Sequence, residues 1–543
     1  MTTVTNRTVG DALAKALKRG GVPCVFGIPG GGSAIDLIEA CRTVDIPFVL
    51  VQHETTAAMS AIVVGELTGS CGVCMSIMGP GAANLVGGSS FGLWERHAVL
   101  SLTESYPTTQ APRMSLQLMD HSEMFMSFSK ASEVLDDDQP GEQVSRLMNL
   151  ALAERPGPVH LDIPNDLLTR QAESEKQSQS NAPDEISGIG GDLDAIAYAI
   201  DKAVKPVLVV GPAVVRADAC DELRSLAERL GAAIVTTSKA RGVIPEDHPL
   251  WAGIITGVYG DTTFEGRIIG QSDLIVGVGL DRMELLSPWN YPQPLVCIDA
   301  IDPTIEEVGS PVHSVHGPLK AILRQLTEAV QSTEAWNLAE LSQFRDYVRA
   351  ALLADSDELN STTLLGRAQS LAPTDTTLVT ETGIYNAVNL FTWKVSAPDL
   401  YFGSSGANTM GFSIPAALAS SLIRAEQKTV ALVGDGGFLM KASELETLAR
   451  EKLAPIIIVF NDRSLGLIRI KQAAKGYRRD AVDLAPVDFA RLAQSFGGRG
   501  ERVGTLAAFE AAFKAALDDD RFTVIDARLD PDVYASHMAP IRG

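Results

Sequence analysis

The sequence predicts an α/β protein of three doubly wound parallel-sheet domains. Three observations carry that prediction. The chain has 543 residues, more than one hydrophobic core organises, which suggests about three domains. Short runs rich in β-branched residues alternate with longer stretches of helical spacing, the pattern of parallel strands covered on both faces. Two polar or charged stretches, near 170–190 and 335–360, interrupt the alternation.

The first domain spans residues 1–170, with strands expected at 24–26, 47–51, 73–77, 98–102 and 158–162. The tract 170–184 is dominated by Gln, Ser and Glu and reads as an exposed linker. The second domain, 190–335, has strands expected at 206–210, 233–235 and 274–278, and a helical, charged connection follows it. The third domain, 360–543, holds two apolar runs that end abruptly in polar residues: one stops at Asp435-Gly436-Gly437 and the other at Asn461-Asp462-Arg463. Between them, 442–451 has helix-forming residues at helical spacing. A right-handed strand–helix–strand crossover puts both strand ends on one sheet edge, so Asp435 and Asn461 converge. Gly434, Gly436 and Gly437 let backbone N–H groups and a helix N-terminus approach an anion. Oxygen ligands beside a phosphate cradle suit Mg²⁺ bound to a diphosphate. The first and third domains look alike in plan, with glycine-rich turns and acidic residues at strand ends, but share no close sequence repeat.

An apolar content of 45% fits a well-filled interior, and a formal charge of −22 argues against nucleic acid as a partner. No apolar run is long enough to span a bilayer, and the N-terminus lacks a signal-peptide core. Six cysteines in a chain this long do not make a disulfide scaffold, and together these features suggest a reducing cytoplasm. Cys71 and Cys74 form a C-x-x-C within an expected strand, where they face opposite sides; this reads as core rather than metal or redox chemistry.

Glu54 follows one strand and opens a helical run, at the strand end where open α/β sheets place function. Its neighbours are largely apolar, the setting in which a carboxyl becomes a proton relay. The plainer alternative is a first-turn glutamate favoured by the helix dipole. His53-Glu54 is half of a zinc H-E-x-x-H, but Ala57 fills the fifth position and the motif fails. Gly79-Pro80-Gly81 follows another strand and reads as a strand-to-helix turn. Gly88-x-Ser90-x-Gly92 matches a nucleophile elbow in letters, yet a helical stretch precedes it instead of a strand. There is no G-x-G-x-x-G of the required spacing and no P-loop.

Taken together, these segments resemble the thiamine-diphosphate (ThDP) enzymes of the acetolactate synthase, pyruvate oxidase and 2-oxoacid decarboxylase superfamily, over essentially the whole chain. The resemblance implies pyrimidine-binding, central and diphosphate-binding domains in that order. It implies that Asp435, Asn461 and the carbonyl of Arg463 hold Mg²⁺, that Gly434, Gly436 and Gly437 cradle the diphosphate, and that Gly30, Ser464 and Leu465 also contact the cofactor. Gly383 sits where the family meets phosphate, with Ile384-Tyr385 replacing the usual Gln-His. Glu54 matches the activating glutamate that bonds the pyrimidine ring. Met410 matches the apolar wedge that bends the cofactor, and the Asn408 carbonyl the acceptor of its 4′-amino group.

Gln117 matches the glutamine that faces the reacting carbon in acetolactate synthases and oxidases, although Leu116 stands where that group commonly has Phe. His121 reads either as an extra acid/base group or as a helical, solvent-facing histidine. Ile77-Met78 stands where relatives often carry Thr-Ser. The segment after the metal site looks closer to flavin-free catabolic synthases than to biosynthetic ones. Some members bind FAD on the central domain, and the sequence gives no positive sign of it. The chain stops soon after Met538, leaving little for a closing C-terminal tail. The resemblance implies decarboxylation of a 2-oxo acid with ligation of the remaining fragment to a second carbonyl compound. A C–C lyase or acyltransferase acting on a hydroxy ketone or acyl-CoA, and a simple decarboxylase, stay open as alternatives. It also implies a homodimer or homotetramer with active sites at the subunit interface.

Overall fold

The structure is a computed structural model that describes residues 8–172, 188–303, 308–352, 358–530 and 534–542. Most of the expected linker at 170–184 lies outside these residues. The chain forms two compact units: one comprises Met1–Glu185, Pro415–Ala425 and Lys441–Glu451, the other Ile186–Ile414, Glu426–Met440 and Lys452–Gly543.

The first unit is built on strands β1 (Val25–Gly27), β2 (Phe48–Leu50), β3 (Gly72–Ser76), β4 (Val99–Ser105), β5 (Ser132–Val134) and β6 (Pro158–Pro164). Their order is β2-β1-β3-β4-β6-β5, and all pairs are parallel. The helix Glu54–Thr68 is buried from Thr56 to Gly65, as an apolar surface all round demands. Gly69 ends it in the left-handed conformation at φ +66°. The helix Pro80–Glu95 starts with Pro in its first turn. β5 was not anticipated, because Ser-Glu-Val is a half-exposed edge strand with no apolar run. Within this unit, the Gln52 N–H meets the Glu444 carboxylate at 3.2 Å.

The second unit holds two sheets. One contains β7 (Gly190–Gly191), β8 (Pro206–Val210), β9 (Ala233–Thr236), β10 (Trp251–Ile254), β11 (Leu274–Val278), β12 (Leu295–Asp299) and β13 (His313–His316), in the order β10-β9-β8-β11-β12-β13-β7. The two-residue β7 pairs antiparallel with β13, a departure from the all-parallel expectation confined to the sheet edge. The other contains β14 (Thr377–Thr380), β15 (Tyr401–Phe402), β16 (Thr429–Gly434), β17 (Ile456–Asn461), β18 (Arg499–Val503) and β19 (Thr523–Arg528), in the order β15-β14-β16-β17-β19-β18, all parallel. Its order repeats that of the first sheet strand for strand, so the likeness in plan is a likeness in topology. In both, the chain changes direction across the sheet between the second and third positions (β1/β3 and β14/β16), where open sheets form a crevice at their C-terminal ends.

The single helix expected over 442–451 is divided. A helix Asp435–Lys441 begins directly after β16, and a 3-10 turn Ala442–Glu444 then leads into Leu445–Arg450. Lys441 leaves the helical region at φ −133°, which separates the pieces. The two sheets of the second unit are joined by a buried ion pair. Arg241 Nε meets Glu246 Oε1 at 2.8 Å, the guanidinium lies 4.6 Å from the Tyr401 ring centre, and Glu246 Oε2 accepts the Val395 N–H at 3.0 Å.

Candidate active site

β16 and β17 are paired in register with Gly434 opposite Phe460, so the next residues of each strand emerge side by side on one edge. Asp435 is buried; Oδ1 accepts the Gly436 N–H and Oδ2 the Arg463 N–H, each at 2.7 Å. Asn461 is buried too, and its Nδ2 donates to Asp526 Oδ1 at 2.7 Å. That bond fixes the amide and leaves Asn461 Oδ1 buried without a partner. Arg463 sits at φ +58°, and its carbonyl accepts the Leu484 N–H at 2.9 Å with one lone pair to spare. Burial, and then the charge of Asp462, push the Asp435 carboxyl up to about 6. An all-oxygen donor set with an orphaned amide oxygen and a carboxyl short of positive charge fits Mg²⁺.

Around it the expected cofactor residues come together. A Cβ on Gly436 would lie 3.0 Å from Met410 Cε and 3.1 Å from Leu465 Cδ2. A Cβ on Gly437 would lie 1.7 Å from Glu381 Oε1, so glycine there makes room for that carboxyl. Glu381 follows β14, accepts the Ser413 N–H at 3.0 Å, and is pushed up to about 7 by burial. Gly383 precedes the helix Ile384–Thr392. The Tyr385 ring stacks on Phe460 with centres 4.4 Å apart, and its hydroxyl accepts the Gly434 N–H at 3.0 Å, so the Gly434 amide is satisfied by protein. The Ser464 N–H and Oγ both bond Asp462 Oδ1, at 2.8 and 2.9 Å. Asn408 is exposed at φ +46° and donates from Nδ2 to the Ser405 carbonyl at 2.9 Å.

These residues border a cavity of about 880 Å³ that reaches Ser238, Thr256, Glu284 and Leu286 of the central domain. Tyr534 and Met538 of the helix Tyr534–Arg542 line it as well. The last helix thus forms part of the wall.

The first unit gathers the other half of the expected set. Glu54 is the first residue of its helix and 7% exposed, and Oε2 accepts Asn84 Nδ2 at 3.1 Å. A Cβ on Gly81 would lie 3.3 Å from Glu54 Oε1. His53 caps the helix by accepting the Thr55 N–H on Nδ1 at 3.1 Å, a structural role that matches the failure of the zinc motif. Gly79 stands at φ +63°, and a Cβ there would come within 2.5 Å of the Gln117 carbonyl oxygen. Gln117 itself has φ +55° and is exposed. A Cβ on Gly30 would meet Glu104 Oε2 at 2.3 Å and Ile77 Cγ2 at 2.4 Å. Glu104 in turn accepts the N–H groups of Gly32 and Ala34 at 3.2 and 2.8 Å.

His121 is not solvent-facing. It is 3% exposed; Nε2 accepts the Gly79 N–H at 3.0 Å, and Nδ1 meets Asp162 Oδ1 at 2.8 Å. The solvent-facing reading fails because the helix His121–Met126 is short and its first residue turns toward the end of β6. Ser90 lies inside the helix Pro80–Glu95 and donates to the Gly87 carbonyl, so no nucleophile elbow exists there. All six cysteines are free. No described helix is long and apolar enough to cross a membrane.

Sequence reasoning missed Glu381, Glu104 and Asp526 as site residues. Glu381 directly follows β14 and Glu104 is the next-to-last residue of β4, strand-end positions that the sequence offers as a signal, whereas Asp526 lies inside β19 opposite Val459 and carries no such signal.

Three domain models match the chain: thiamine pyrophosphate enzyme, N-terminal TPP binding domain, over 7–124; central domain, over 193–326; and C-terminal TPP binding domain, over 381–527. A probable acetolactate synthase large subunit of Methanocaldococcus jannaschii is 28% identical over 98% of this chain and 93% of its own length. The catabolic acetolactate synthase of Raoultella terrigena is 28% identical over 96% of this chain and 94% of its own. Among solved structures, benzoylformate decarboxylase from Polynucleobacter necessarius shares the fold with a TM-score of 0.83 at 20% identity, covering 96% of this chain and 98% of that one. With all three of its domains recognised, the chain belongs to the thiamine pyrophosphate enzymes.

Proposed function

We propose that the protein is a ThDP- and Mg²⁺-dependent carboligase that decarboxylates a 2-oxo acid and joins the remaining fragment to a second carbonyl compound, in the manner of acetolactate synthase. The observation that carries this reading is the unpartnered, buried Asn461 Oδ1 at the end of β17, next to the strand that ends at Asp435. The acetolactate synthases among its relatives support the ligating branch.

When bound, ThDP supplies the electron sink that takes up the electron pair left by departing CO₂. Asp435, Asn461 and the Arg463 carbonyl would hold Mg²⁺, and the Gly437 amide would face the diphosphate, the Gly436 N–H being taken by Asp435 Oδ1. Met410 and Leu465, meeting at Gly436, offer an apolar support that shapes the bound cofactor. Glu54 holds and moves a proton at its carboxylate, and Asn84 orients it. Gln117, set above the Gly79 turn, faces the reacting carbon and orients the substrate. Glu54 of one subunit and Asp435 of another serve one cofactor, so the working enzyme is a homodimer or homotetramer. Six free cysteines favour a cytoplasmic setting.

The test is product analysis by mass spectrometry. Protein loaded with ThDP and Mg²⁺ receives pyruvate and other 2-oxo acids, with and without an aldehyde acceptor. Acetolactate or another ligated hydroxy ketone is expected. Free aldehyde alone reassigns the protein as a simple decarboxylase, and no consumption of any 2-oxo acid by ThDP-loaded protein moves it to the lyase or acyltransferase branch.

A further inference from the structure

Met410, the apolar contact expected to bend the cofactor, lies in the loop between β15 and the helix Ser413–Ile423, not on a strand or helix. Two left-handed residues bracket it, Asn408 at φ +46° and Gly411 at φ +81°. Its position is therefore set by what holds the residues on either side. Before it, Ser404 Oγ accepts the Thr409 N–H at 2.9 Å, and the Thr409 carbonyl accepts the Thr382 N–H at 3.3 Å. After it, Glu381 Oε2 accepts the Ser413 N–H at 3.0 Å, and the Ser413 hydroxyl donates to the Leu432 carbonyl of β16 at 2.6 Å.

Glu381 is the charged member of this set. It directly follows β14 and is 1% exposed. The backbone amides of Ser413, Gly411 and Phe412, all just beyond Met410 in the chain, work against the burial of its charge. Its other oxygen, Oε1, sits against Gly437, where a Cβ would lie 1.7 Å away. At the neighbouring Gly436, a Cβ would lie 3.0 Å from Met410 Cε. One carboxylate thus meets both the loop that carries the apolar support and the turn that faces the diphosphate. The plainer alternative is a carboxylate that favours the N-terminus of the helix Ser413–Ile423 and does nothing more. The placement of Oε1 argues for more: it meets a glycine that any side chain would displace, so the reach of Glu381 sets the spacing of two cofactor-facing segments.

We propose that Glu381 is a positioning residue for the bend of the cofactor: acting through the 411–413 amides and Gly437, it fixes how far Met410 stands from the diphosphate turn. This role rests on the ThDP reading above and on no choice of substrate.

The test uses no substrate. A bent cofactor brings its 4′-amino group to its own thiazolium C2 proton, so exchange of that proton in D₂O, quenched in acid and counted by NMR, reports the bend at saturating ThDP and Mg²⁺. ThDP affinity is measured beside it by calorimetry. Glu381→Gln keeps the size of the side chain, but it offers the amides one acceptor oxygen and turns an NH₂ group toward N–H donors. It is expected to slow exchange by about tenfold to a hundredfold, the scale on which a misplacement of about 1 Å acts, while ThDP affinity falls by less. Glu381→Asp keeps the charge, draws it back by one methylene, and is expected to recover part of the rate. Wild-type exchange in ThDP-saturated Glu381→Gln protein overturns the proposal even if affinity or melting temperature drops, because a carboxylate that only supports the fold behaves that way. A loss of affinity larger than the slowing overturns it too. If Glu381→Gln protein does not fold, Glu381→Asp decides: slowed exchange at saturation supports the proposal, and exchange at the wild-type rate overturns it. Wild-type protein that takes up no ThDP overturns this role and the cofactor reading together. Failure of the 2-oxo acid reading shows in turnover and not in exchange, so the two are told apart.

Discussion

Asp526 holds the amide of Asn461: Nδ2 donates to its Oδ1 at 2.7 Å, which leaves Asn461 Oδ1 buried without a protein partner on the strand next to the one that ends at Asp435. Orientation of a metal ligand from behind typically contributes about tenfold to a hundredfold in metal affinity. Asp526→Asn is therefore expected to raise the Mg²⁺ concentration needed for ThDP binding by about that range. Asn461→Ala should do so more severely, and chelation should release ThDP from the wild type. Titration of ThDP binding against Mg²⁺ by circular dichroism reads all three. An unchanged Mg²⁺ requirement in folded Asp526→Asn protein would show that the bond does not set the ligand.

Glu54 and its partner Asn84 separate chemistry from binding. The carboxylate is not among the expected metal ligands, so Glu54→Ala should leave Mg²⁺-dependent ThDP binding near the wild-type value. Turnover should fall by at least about a hundredfold, the lower range for losing a positioned proton-transfer group. Asn84→Ala should give a smaller loss, because the carboxylate remains but loses its hydrogen bond. Normal turnover in Glu54→Ala would remove Glu54 from the mechanism.

The fold was legible because its signals are local. Apolar runs at 206–210 and 274–278 coincide with β8 and β11 to the residue. The convergence of Asp435 and Asn461 followed from one crossover rule. What stayed hidden depended on partners distant in sequence. β5 and β13 carry no strong strand pattern and are fixed by pairing with β6 and β12. His121 looked like a surface residue until Asp162 and Gly79 were placed against it. Glu381 follows a recognisable strand end and Asp526 lies inside β19, but their work lies in seating Gly437 and orienting Asn461, which only the assembled sheet brings to them.

His121 ties two loops together: Nε2 takes the Gly79 N–H, and Gly79 underlies the Gln117 carbonyl. His121→Ala leaves the buried Gly79 amide without a partner, at about 1–3 kcal/mol, while Asp162 keeps the Thr103 hydroxyl. The expected result is a lowered melting temperature, together with faster hydrogen exchange over the peptide containing Gln117. His121→Gln keeps an acceptor for Gly79 and should recover part of both. Exchange around Gln117 that matches wild type in His121→Ala would mean the clamp does not hold that loop.

His160 makes the first unit sensitive to acid. Its ring stacks on Phe125 at 4.0 Å, Nε2 meets Thr103 Oγ1 at 2.8 Å, and Nδ1 meets Ser132 Oγ at 2.8 Å. Burial lowers its pKa from 6.5 to about 4; His121 lowers it too, while Asp162 works in the opposite direction. Between those values the unfolded chain binds a proton that the native state does not. The stabilisation is therefore fully present above the unfolded pKa, falls as pH drops from 6.5 toward 4, and levels off below. The full loss is about 3 kcal/mol at 1.36 kcal/mol per pKa unit. Hydrogen exchange of the β4 and β6 amides, corrected for intrinsic rates, should show their opening free energy declining across this window in the wild type. In folded His160→Gln protein the decline should be shallower by most of that amount. A wild-type and variant difference that is the same at both ends of the window would mean that His160 does not titrate there, and the acid sensitivity would have to come from the carboxylates of the same unit.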